Sequence, residues 1–252
     1  MAKGKRLDQE LVTRGLAPSR AKAQAMILAG LVKVNGHPAA KAGQLIPQQA
    51  ELQVDGPEHP YVSRGGVKLA GALDHFGLQV KGLTCLDVGA STGGFTDCLL
   101  QRGAEAVTCV DVGYGQLAWK LRQDPRVTLF ERTNARKLPQ DMAPGPFGLI
   151  VVDVSFISLT LVLPPLIPRL GDGGHLLPMV KPQFEAGREA VGTGGVVRDP
   201  ALRQAAVDKV ADCLRGLGLE VLGSAASPIL GPKGNQEFFL LARKPRVTGQ
   251  GA

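Results

Sequence analysis

The chain has 252 residues, a length that allows one large domain or two smaller ones, each with a buried core. Its aromatic content of 4%, with 33 glycines and 18 prolines, favours an α/β protein with many turns and argues against a β-sandwich. The sequence shows no apolar run of membrane-spanning length, no signal peptide, no C-x-x-C pair and no zinc-ligand spacing. We therefore expect a cytoplasmic protein with reduced thiols and no metal site.

The positive charge is concentrated towards the N-terminus. Of the net charge of +7, residues 1–54 contribute +5, with eight Lys or Arg against three Asp or Glu, whereas the remaining residues carry 21 against 19. This asymmetry indicates a module that binds a polyanion, joined to a nearly neutral body. A solvated charged surface is the alternative interpretation.

The first 54 residues predict a small unit of two helices and a sheet. Its predicted elements are a helix over 6–15, a helix that Ser19 caps and that ends at Gly30, a strand over 31–34, an Asn35–Gly36 hairpin turn and a strand over 52–54. Residues 55–60, which contain two prolines, are predicted to be a linker. The first predicted domain with its linker therefore spans residues 1–60.

Residues 6–36, RLDQELVTRGLAPSRAKAQAMILAGLVKVNG, resemble the S4 RNA-binding domain. The resemblance implies a module that binds RNA through its shape and its phosphates. The residues expected to face RNA are Arg6, Arg14, Ser19, Arg20, Lys22, Lys33 and, at the start of the next domain, Arg64.

From Tyr61 onward, predicted strands and helices alternate. In chain order they are a helix over 66–76, a strand over 84–88, a helix over 94–102, a strand over 106–111, a helix over 115–122, strands over 127–131 and 149–152, an irregular helix over 159–170, a strand over 175–180, a helix over 200–217, and strands over 219–225 and 236–242. This order predicts a mostly parallel, doubly wound sheet of the Rossmann-like class over 61–244, with a late reversed strand possible. Residues 245–252 are predicted to form a disordered tail.

Residues 87–97, DVGASTGGFTD, follow an apolar strand and precede a predicted helix. A strand, a glycine turn and a helix N-terminus form the nucleotide-binding corner of an open α/β sheet. The spacing is neither G-x-G-x-x-G nor a Walker loop. An aspartate at the strand end followed by such a turn suits a cationic, phosphate-free cofactor such as S-adenosylmethionine, with an ordinary strand-to-helix turn as the alternative.

Polar residues follow the other predicted strands, and ligands of doubly wound sheets bind at these carboxyl ends. Asp111 is placed to accept the ribose hydroxyls, and Asn134 is placed near the adenine. The predicted cofactor-binding residues are Asp87, Gly89, Ala90, Ser91, Gly93, Gly94, Phe95, Asp111, Val112, Asn134 and Asp153.

Lys68, Asp153, Lys181 and Glu237 match, in order, the Lys-Asp-Lys-Glu tetrad of the FtsJ-like ribose 2′-O-methyltransferases, a family that the chain resembles. The strings SRGGVKL, VVDVSFIS, VKPQFE and GNQEFF, behind an S4-like module, resemble the TlyA family. That family carries both a hemolysin name and the name of a ribosomal RNA cytidine 2′-O-methyltransferase. The resemblance implies these four residues as catalytic, S-adenosylmethionine as cofactor and ribosomal RNA as partner. The short chain ends resemble the family type that modifies large-subunit RNA alone.

Methyl transfer to a ribose hydroxyl needs a base, because the hydroxyl is a very weak acid. The resemblance makes Lys181 this base, and a lysine accepts a proton only when it is neutral, a state that burial and a nearby cation such as Lys68 favour. Asp153 would then orient Lys181, and Glu237 would position Lys68 to hold the target ribose or phosphate. Two ordinary salt bridges, Asp153–Lys181 and Lys68–Glu237, are the structural alternative.

Two further segments have open interpretations. Glu185, Arg188 and the glycine-rich stretch 192–195 form either a mobile lid over RNA or a plain loop. Ser63 and Arg64 either couple RNA binding to the catalytic domain or belong to a simple linker.

Three other functions compete with RNA 2′-O-methylation. They are a hemolysin-like membrane-active protein, a non-catalytic RNA-binding assembly factor and a small-molecule methyltransferase. The intact tetrad argues against the second, and the basic N-terminal module argues against the third.

Overall fold

The computed structural model describes residues 4–17, 19–28, 30–54, 59–187, 191–192 and 194–246. They form two units, Met1–Pro60 and Tyr61–Ala252. Several predicted features fall outside the described residues: linker residues 55–58, Arg188 and residue 193 of the predicted lid, and tail residues 247–252.

The N-terminal unit contains two short helices and two small antiparallel sheets. Its elements are β1 (Lys5–Arg6), α1 (Leu7–Thr13), α2 (Arg20–Leu28), β2 (Val32–Val34), β3 (His37–Pro38), β4 (Leu45–Ile46) and β5 (Leu52–Val54). β2 pairs with β3 and β5, and β1 pairs with β4. The apolar faces of the helices meet the sheet around Leu7, Leu11, Ile27 and Val32. The sequence does not predict β1 and β4, because strands of two residues are too short to show an alternation of apolar and polar side chains.

The predicted helix cap and hairpin turn of this unit are both present in the structure. The Ser19 hydroxyl accepts a hydrogen bond from the backbone N–H of Lys22 at 3.2 Å, which confirms the predicted helix cap. Asn35 and Gly36 both have positive φ, 50° and 78°, as a two-residue hairpin turn of this type requires.

The second unit is built on a seven-stranded sheet. Its elements are α3 (Gly65–Phe76), β6 (Thr84–Val88), α4 (Gly94–Gln101), β7 (Ala106–Val110), α5 (Trp119–Arg122), β8 (Val127–Phe130), β9 (Phe147–Val152), α6 (Leu159–Val162), β10 (Leu170–Val180), α7 (Pro182–Glu185), α8 (Pro200–Gly216), β11 (Glu220–Ala226) and β12 (Phe238–Arg243), with 3-10 turns over Ala135–Lys137 and Pro164–Arg169. The strand order is β11-β12-β10-β9-β6-β7-β8. β12 runs antiparallel to both neighbours, and the other pairs are parallel, which confirms the predicted sheet with a late reversed strand.

The predicted helix over 115–122 is wrong in its first half. Gly115 has a left-handed φ of 71°, its N–H donates to Glu131 Oε1 at 2.7 Å, and Ala118 is extended, so the helix begins only at Trp119. A turn that bonds to a neighbouring loop therefore replaces the first helical turn. The irregular helix over 159–170 is confirmed as α6 followed by a 3-10 turn, because three prolines in the second part cannot donate backbone hydrogen bonds.

The central strands are buried on both faces, as parallel strands covered by helices usually are. Leu86, Ile150 and Val152 pack on one side against the layer that includes α6 and α8. Cys85 and Leu149 pack on the other side against α3 and α4. The carboxyl ends of β6, β7, β8, β9 and β10 consequently lie along one edge of the sheet.

Candidate active site

Two adjoining cavities open at this edge of the sheet. The first has a volume of 490 Å³ and the second a volume of 450 Å³. Both are lined by Gly89, Ser91, Asp153, Ser155 and Phe156. The edge thus holds two subsites that meet at the ends of β6 and β9.

The glycines of the turn after β6 are needed for close packing. A Cβ on Gly89, whose φ is 87°, would lie 2.3 Å from the backbone oxygen of Asp153. A Cβ on Gly94 would lie 2.2 Å from Ser63 Oγ, and one on Gly93 would lie 2.3 Å from Leu121 Cδ1. Gly89 and Gly94 line the first cavity, whereas Gly93 packs against the segment that leads into α5. Any side chain at these positions would push the turn out of place.

The second cavity contains several of the predicted cofactor residues. Asp111 Oδ2 accepts from the N–H of Ser91 at 2.7 Å, and its Oδ1 accepts from the N–H of Gly113 at 2.6 Å. Asn134 caps a 3-10 turn by accepting from the N–H of Arg136 at 3.0 Å. Both side chains line the cavity beside apolar residues, namely Val88, Val110, Val112, Ile157 and Val162. A fixed carboxylate at one side of an apolar slot suits a nucleoside.

Asp87 lies beneath the turn and lines neither cavity, although the sequence predicts it as a cofactor contact. It is fully buried, and its Oδ2 accepts a hydrogen bond of 2.6 Å from the Thr96 hydroxyl. Its Oδ1 has no hydrogen-bond partner among the described residues. Burial, together with the nearby carboxylates of Asp153 and Asp111, raises the pKa of Asp87 to about 7, and the Thr96 hydrogen bond opposes this shift.

The four tetrad residues all line the first cavity. Lys181 Nζ lies 2.5 Å from Asp153 Oδ1 and donates to Ser155 Oγ at 2.9 Å. Lys68 Nζ forms a buried ion pair with Glu237. The predicted pairs are therefore both present, and they share one cavity, although Lys68 and Glu237 are 169 residues apart in the chain.

Sequence reasoning missed several residues of the first cavity. Phe156 is 90% exposed, has a left-handed φ of 65°, and its ring centroid lies 5.2 Å from that of Phe184. Gln183 has a buried Oε1 without a hydrogen-bond partner among the described residues. Ser155 and Lys233 also line the cavity. Proximity of Ser155 and Phe156 to Asp153 in the sequence is the signal that could have indicated them.

The predicted RNA-binding residues have different surroundings. Arg6 and Arg20 both donate to the buried carboxylate of Asp8. Arg14 pairs with Glu10 and donates to two backbone oxygens, an arrangement that favours a structural role. Lys22 is exposed, Lys33 is partly buried on β2, and Ser19 caps α2. Arg64 lines the first cavity and donates to the backbone oxygen of Leu230.

The lid interpretation of Glu185 is wrong. Its side chain is buried and accepts two hydrogen bonds, so it is a fixed part of the second unit. Within the described ranges, no helix is both long and apolar enough to cross a membrane. Across those same ranges, no group of three or more His, Cys, Asp and Glu side chains is arranged to hold a metal ion.

The fold and these cavities define a Rossmann-like methyltransferase, a class whose methyl donor is S-adenosylmethionine. The FtsJ-like methyltransferase model matches residues 61–244, and the S4 domain model matches residues 5–52. The chain belongs to the FtsJ-like methyltransferase family and carries an S4 domain ahead of the catalytic domain. The resemblance to the TlyA family is likewise confirmed by its relatives.

Three relatives illustrate this membership. The chain is 51% identical to the 16S/23S rRNA (cytidine-2′-O)-methyltransferase TlyA of Mycobacterium tuberculosis, over 96% of this chain and 91% of the relative. It is 42% identical to Hemolysin A of Brachyspira hyodysenteriae, over 93% of this chain and 98% of the relative. A solved structure from Streptococcus thermophilus that carries a hemolysin name has a TM-score of 0.74 at 44% identity, covering 97% of this chain and 90% of its own.

Proposed function

We propose that the protein transfers a methyl group from S-adenosylmethionine to the 2′-hydroxyl of a cytidine in ribosomal RNA. The observation that carries this proposal is that Lys68, Asp153, Lys181 and Glu237 line one cavity, beside the cavity that Asp111 and Asn134 line. The name of the Mycobacterium tuberculosis relative supports the same reaction and substrate. The cytoplasm as the place of action follows from ribosomal RNA as the substrate.

The second cavity fits the cofactor. Bound S-adenosylmethionine supplies an electrophilic methyl group on its sulfonium. Asp111 keeps lone pairs for the ribose hydroxyls while two backbone N–H groups fix its carboxylate. Gly89 lets the turn pass close to the backbone of Asp153 where both cavities meet, and Val112 with its apolar neighbours offers a surface for the adenine. Asn134 and Asp153 line this cavity as well, and the remaining predicted cofactor residues belong to the turn and the start of α4 or, like Asp87, lie beneath the turn.

In this proposal Lys181 accepts the proton of the attacking hydroxyl. Nζ would take the hydroxyl proton as the oxygen attacks the methyl group that the bound sulfonium would supply. The resulting ammonium lies 2.5 Å from Asp153 Oδ1 and donates to Ser155 Oγ, so both neighbours stabilise the product state. Lys68, held by Glu237, provides a fixed cation for the ribose–phosphate backbone.

The N-terminal unit is proposed to bind the RNA, and this assigns residues 1–60 to binding and 61–244 to catalysis. Arg6 and Arg20 offer guanidinium groups that Asp8 holds in place, and Lys22 adds an exposed positive charge. Such contacts supply affinity that does not depend on base identity. The hemolysin alternative has the names of two relatives as its support, whereas the tetrad geometry supports methyl transfer.

Methyl transfer from radiolabelled S-adenosylmethionine to separated ribosomal subunits from a strain lacking this gene tests the proposal. We expect label in ribosomal RNA, at a nucleotide whose 3′ phosphodiester resists alkali, and a loss of at least about 100-fold for Lys181→Ala. Lys81→Ala, an exposed lysine at the opposite edge of the sheet, is the matched control and should keep full activity.

The distribution of label between the two ribosomal subunits identifies the substrate more closely. Label confined to the large subunit would support the short family type, and label in both subunits would exclude it. Absence of label from every RNA, with normal cofactor binding, would contradict the proposal and favour a non-catalytic RNA-binding role. Full activity of Lys181→Ala would contradict the assigned base.

A further inference from the structure

Two loops carry the proposed base and its carboxylate partner. One loop follows β9 and contains Asp153, Ser155 and Ser158 before α6 begins at Leu159. The other begins at Lys181 after β10 and continues directly into α7. Since α7 is a single turn of four residues, it has little stability of its own, and contacts with its surroundings must fix its position.

Glu185, the last residue of α7, joins these two loops. Its Oε1 accepts from the backbone N–H of Leu159 at 2.7 Å, and its Oε2 accepts from the Ser158 hydroxyl at 2.5 Å. It therefore caps α6, although it belongs to a different helix. A carboxylate that accepts one backbone and one hydroxyl donor in a buried place is held firmly.

A third element, α8, also contacts Glu185. Lys209 of α8 donates to the backbone oxygen of Glu185 at 2.8 Å, and its Nζ lies 3.3 Å from Oε2. The side chain of Glu185 is 1% exposed, so this lysine supplies the cation that balances a buried carboxylate. The preceding residue of α7, Phe184, has its ring centroid 5.2 Å from that of Phe156 in the first loop.

We infer that Glu185 is a positioning residue that holds Lys181 against Asp153. The two loops are joined twice, through Lys181 with Asp153 and Ser155 at the cavity and through Glu185 with Ser158 and Leu159 behind it. The second connection prevents α7 from rotating and carrying the lysine away. This inference rests on the proposed function of Lys181 as the base.

The predicted consequence is a specific loss of turnover. A displacement of about 1 Å in a reacting group costs on the order of 100-fold in rate. Glu185 lines neither cavity, so its loss should leave binding of the cofactor and of RNA unchanged. Glu185→Gln keeps the volume but offers an N–H₂ group where the second donor needs an acceptor. We expect a fall of about 10- to 100-fold in its single-turnover rate.

The experiment compares full-length variants under saturating S-adenosylmethionine and ribosomal RNA. Single-turnover rate, cofactor Kd, RNA Kd and Tm are measured for Glu185→Gln, Ser158→Ala and Lys181→Ala. Ser158→Ala removes one of the two hydrogen-bond donors to the Glu185 carboxylate and should lower the rate by about 3- to 10-fold. This variant also tests the inference if Glu185→Gln does not fold. Val210→Ala, in the core face of α8, serves as a control for loss of stability alone.

The inference is supported if Glu185→Gln loses rate while both Kd values stay within about twofold and Val210→Ala keeps its rate at a comparable loss of Tm. It is overturned if Glu185→Gln and Ser158→Ala retain full rate, if cofactor binding falls in parallel with the rate, or if Val210→Ala loses rate equally. Full activity of Lys181→Ala would instead contradict the proposed function, so the two failures are distinguishable.

Discussion

Asp8 in the N-terminal unit and Asp87 in the second unit are both fully buried, but they have different partners. Asp8 accepts hydrogen bonds from Arg6, Arg20 and Gln24. The hydrogen bonds from Arg6, with those from Gln24 and Arg20, hold the pKa of Asp8 well below its usual range, against the effect of burial. Asp87 is bonded to the neutral hydroxyl of Thr96, and burial raises its pKa to about 7.

The comparison shows that the partners of a buried carboxyl determine its charge, and that burial alone does not. Asp8 remains ionised and fixes two guanidinium groups whose side chains are 40% and 51% exposed, so they remain accessible to phosphate. Among the residues that the structure describes, no ion pair forms with Asp87, and its raised pKa favours the protonated form of this carboxyl beneath the turn after β6. The first arrangement suits binding of a polyanion, and the second limits negative charge below the proposed cofactor site.

The largest expected effect comes from separating a buried carboxylate from its cation. Lys68→Met leaves Glu237 buried without its partner, so we expect a loss of about 3–5 kcal/mol in the free energy of unfolding. Methyl transfer should fall by at least about 100-fold, because the fixed cation is lost. Urea unfolding and the rate of label transfer measure the two effects.

The double variant Lys68→Met with Glu237→Leu separates stability from chemistry. Replacing both partners by apolar side chains should restore most of the unfolding free energy, because no buried charge is left unpaired. The rate should remain low. If the double variant also regained activity, the ion pair would be structural and the proposed role of Lys68 would be wrong.

The second prediction concerns Asp87→Asn and the pH dependence of stability. Because the pKa of Asp87 is higher in the folded state than in an unfolded chain, the folded state binds the proton more strongly between about pH 4 and pH 7. Its contribution to stability is therefore lost as the pH rises through that window. Relative to Asp87→Asn, the unchanged protein should lose up to about 4 kcal/mol between pH 4 and pH 8.

Urea unfolding at several pH values tests this prediction. Asp208→Asn, which removes an exposed carboxyl on α8, is the control and should follow the pH dependence of the unchanged protein. Parallel stability curves for Asp87→Asn and the unchanged protein would show that Asp87 is ionised throughout, and the contrast with Asp8 would fail.

The third prediction uses Asp8→Asn, which removes a negative charge from the proposed RNA-binding unit. If electrostatics alone mattered, RNA affinity would rise. We expect it to fall by about 5- to 10-fold, because Arg6 and Arg20 lose their fixed orientation and must be ordered on binding. Filter binding at constant salt measures the change, with the exposed Glu51→Gln as the charge-matched control.

The same variant should be less stable at neutral pH. Asp8 has a folded pKa below its unfolded value, so its contribution is present above about pH 4 and is lost as the pH falls below it. Tighter RNA binding by Asp8→Asn would contradict the proposed positioning of the two arginines.

The parts of the site that the sequence predicts are those set by strand direction. Asp111, Asp153 and Lys181 follow parallel strands, so their meeting at one edge follows from topology. Glu237 reaches the same edge because β12 is reversed and Glu237 precedes its first residue. Its pairing with Lys68 came from the family resemblance, since no local pattern indicates a contact across 169 residues.

The parts that the sequence did not predict depend on bonds between distant loops. The predicted helix at Gly115 fails because Glu131 bonds the turn, and Glu185 is fixed because Ser158 and Leu159 donate to it. Asp87 lies below the turn, where the hydroxyl of Thr96 in α4 donates to it. Each outcome depends on tertiary contacts that override the local signal.

The smallest expected effect concerns a carboxylate that is paired but exposed to solvent. Asp212 pairs with Arg215 one turn along α8 at 2.7 Å, but its side chain is 74% exposed. Water competes for both charges there, so Asp212→Asn should change the free energy of unfolding by no more than about 0.5 kcal/mol. The difference should shrink further in high salt, because salt screens exposed pairs. If Asp212→Asn lost as much unfolding free energy as Lys68→Met, an ion pair would stabilise the protein irrespective of its burial. The difference in charge between Asp8 and Asp87 would then have to be explained by the number of their hydrogen-bond donors.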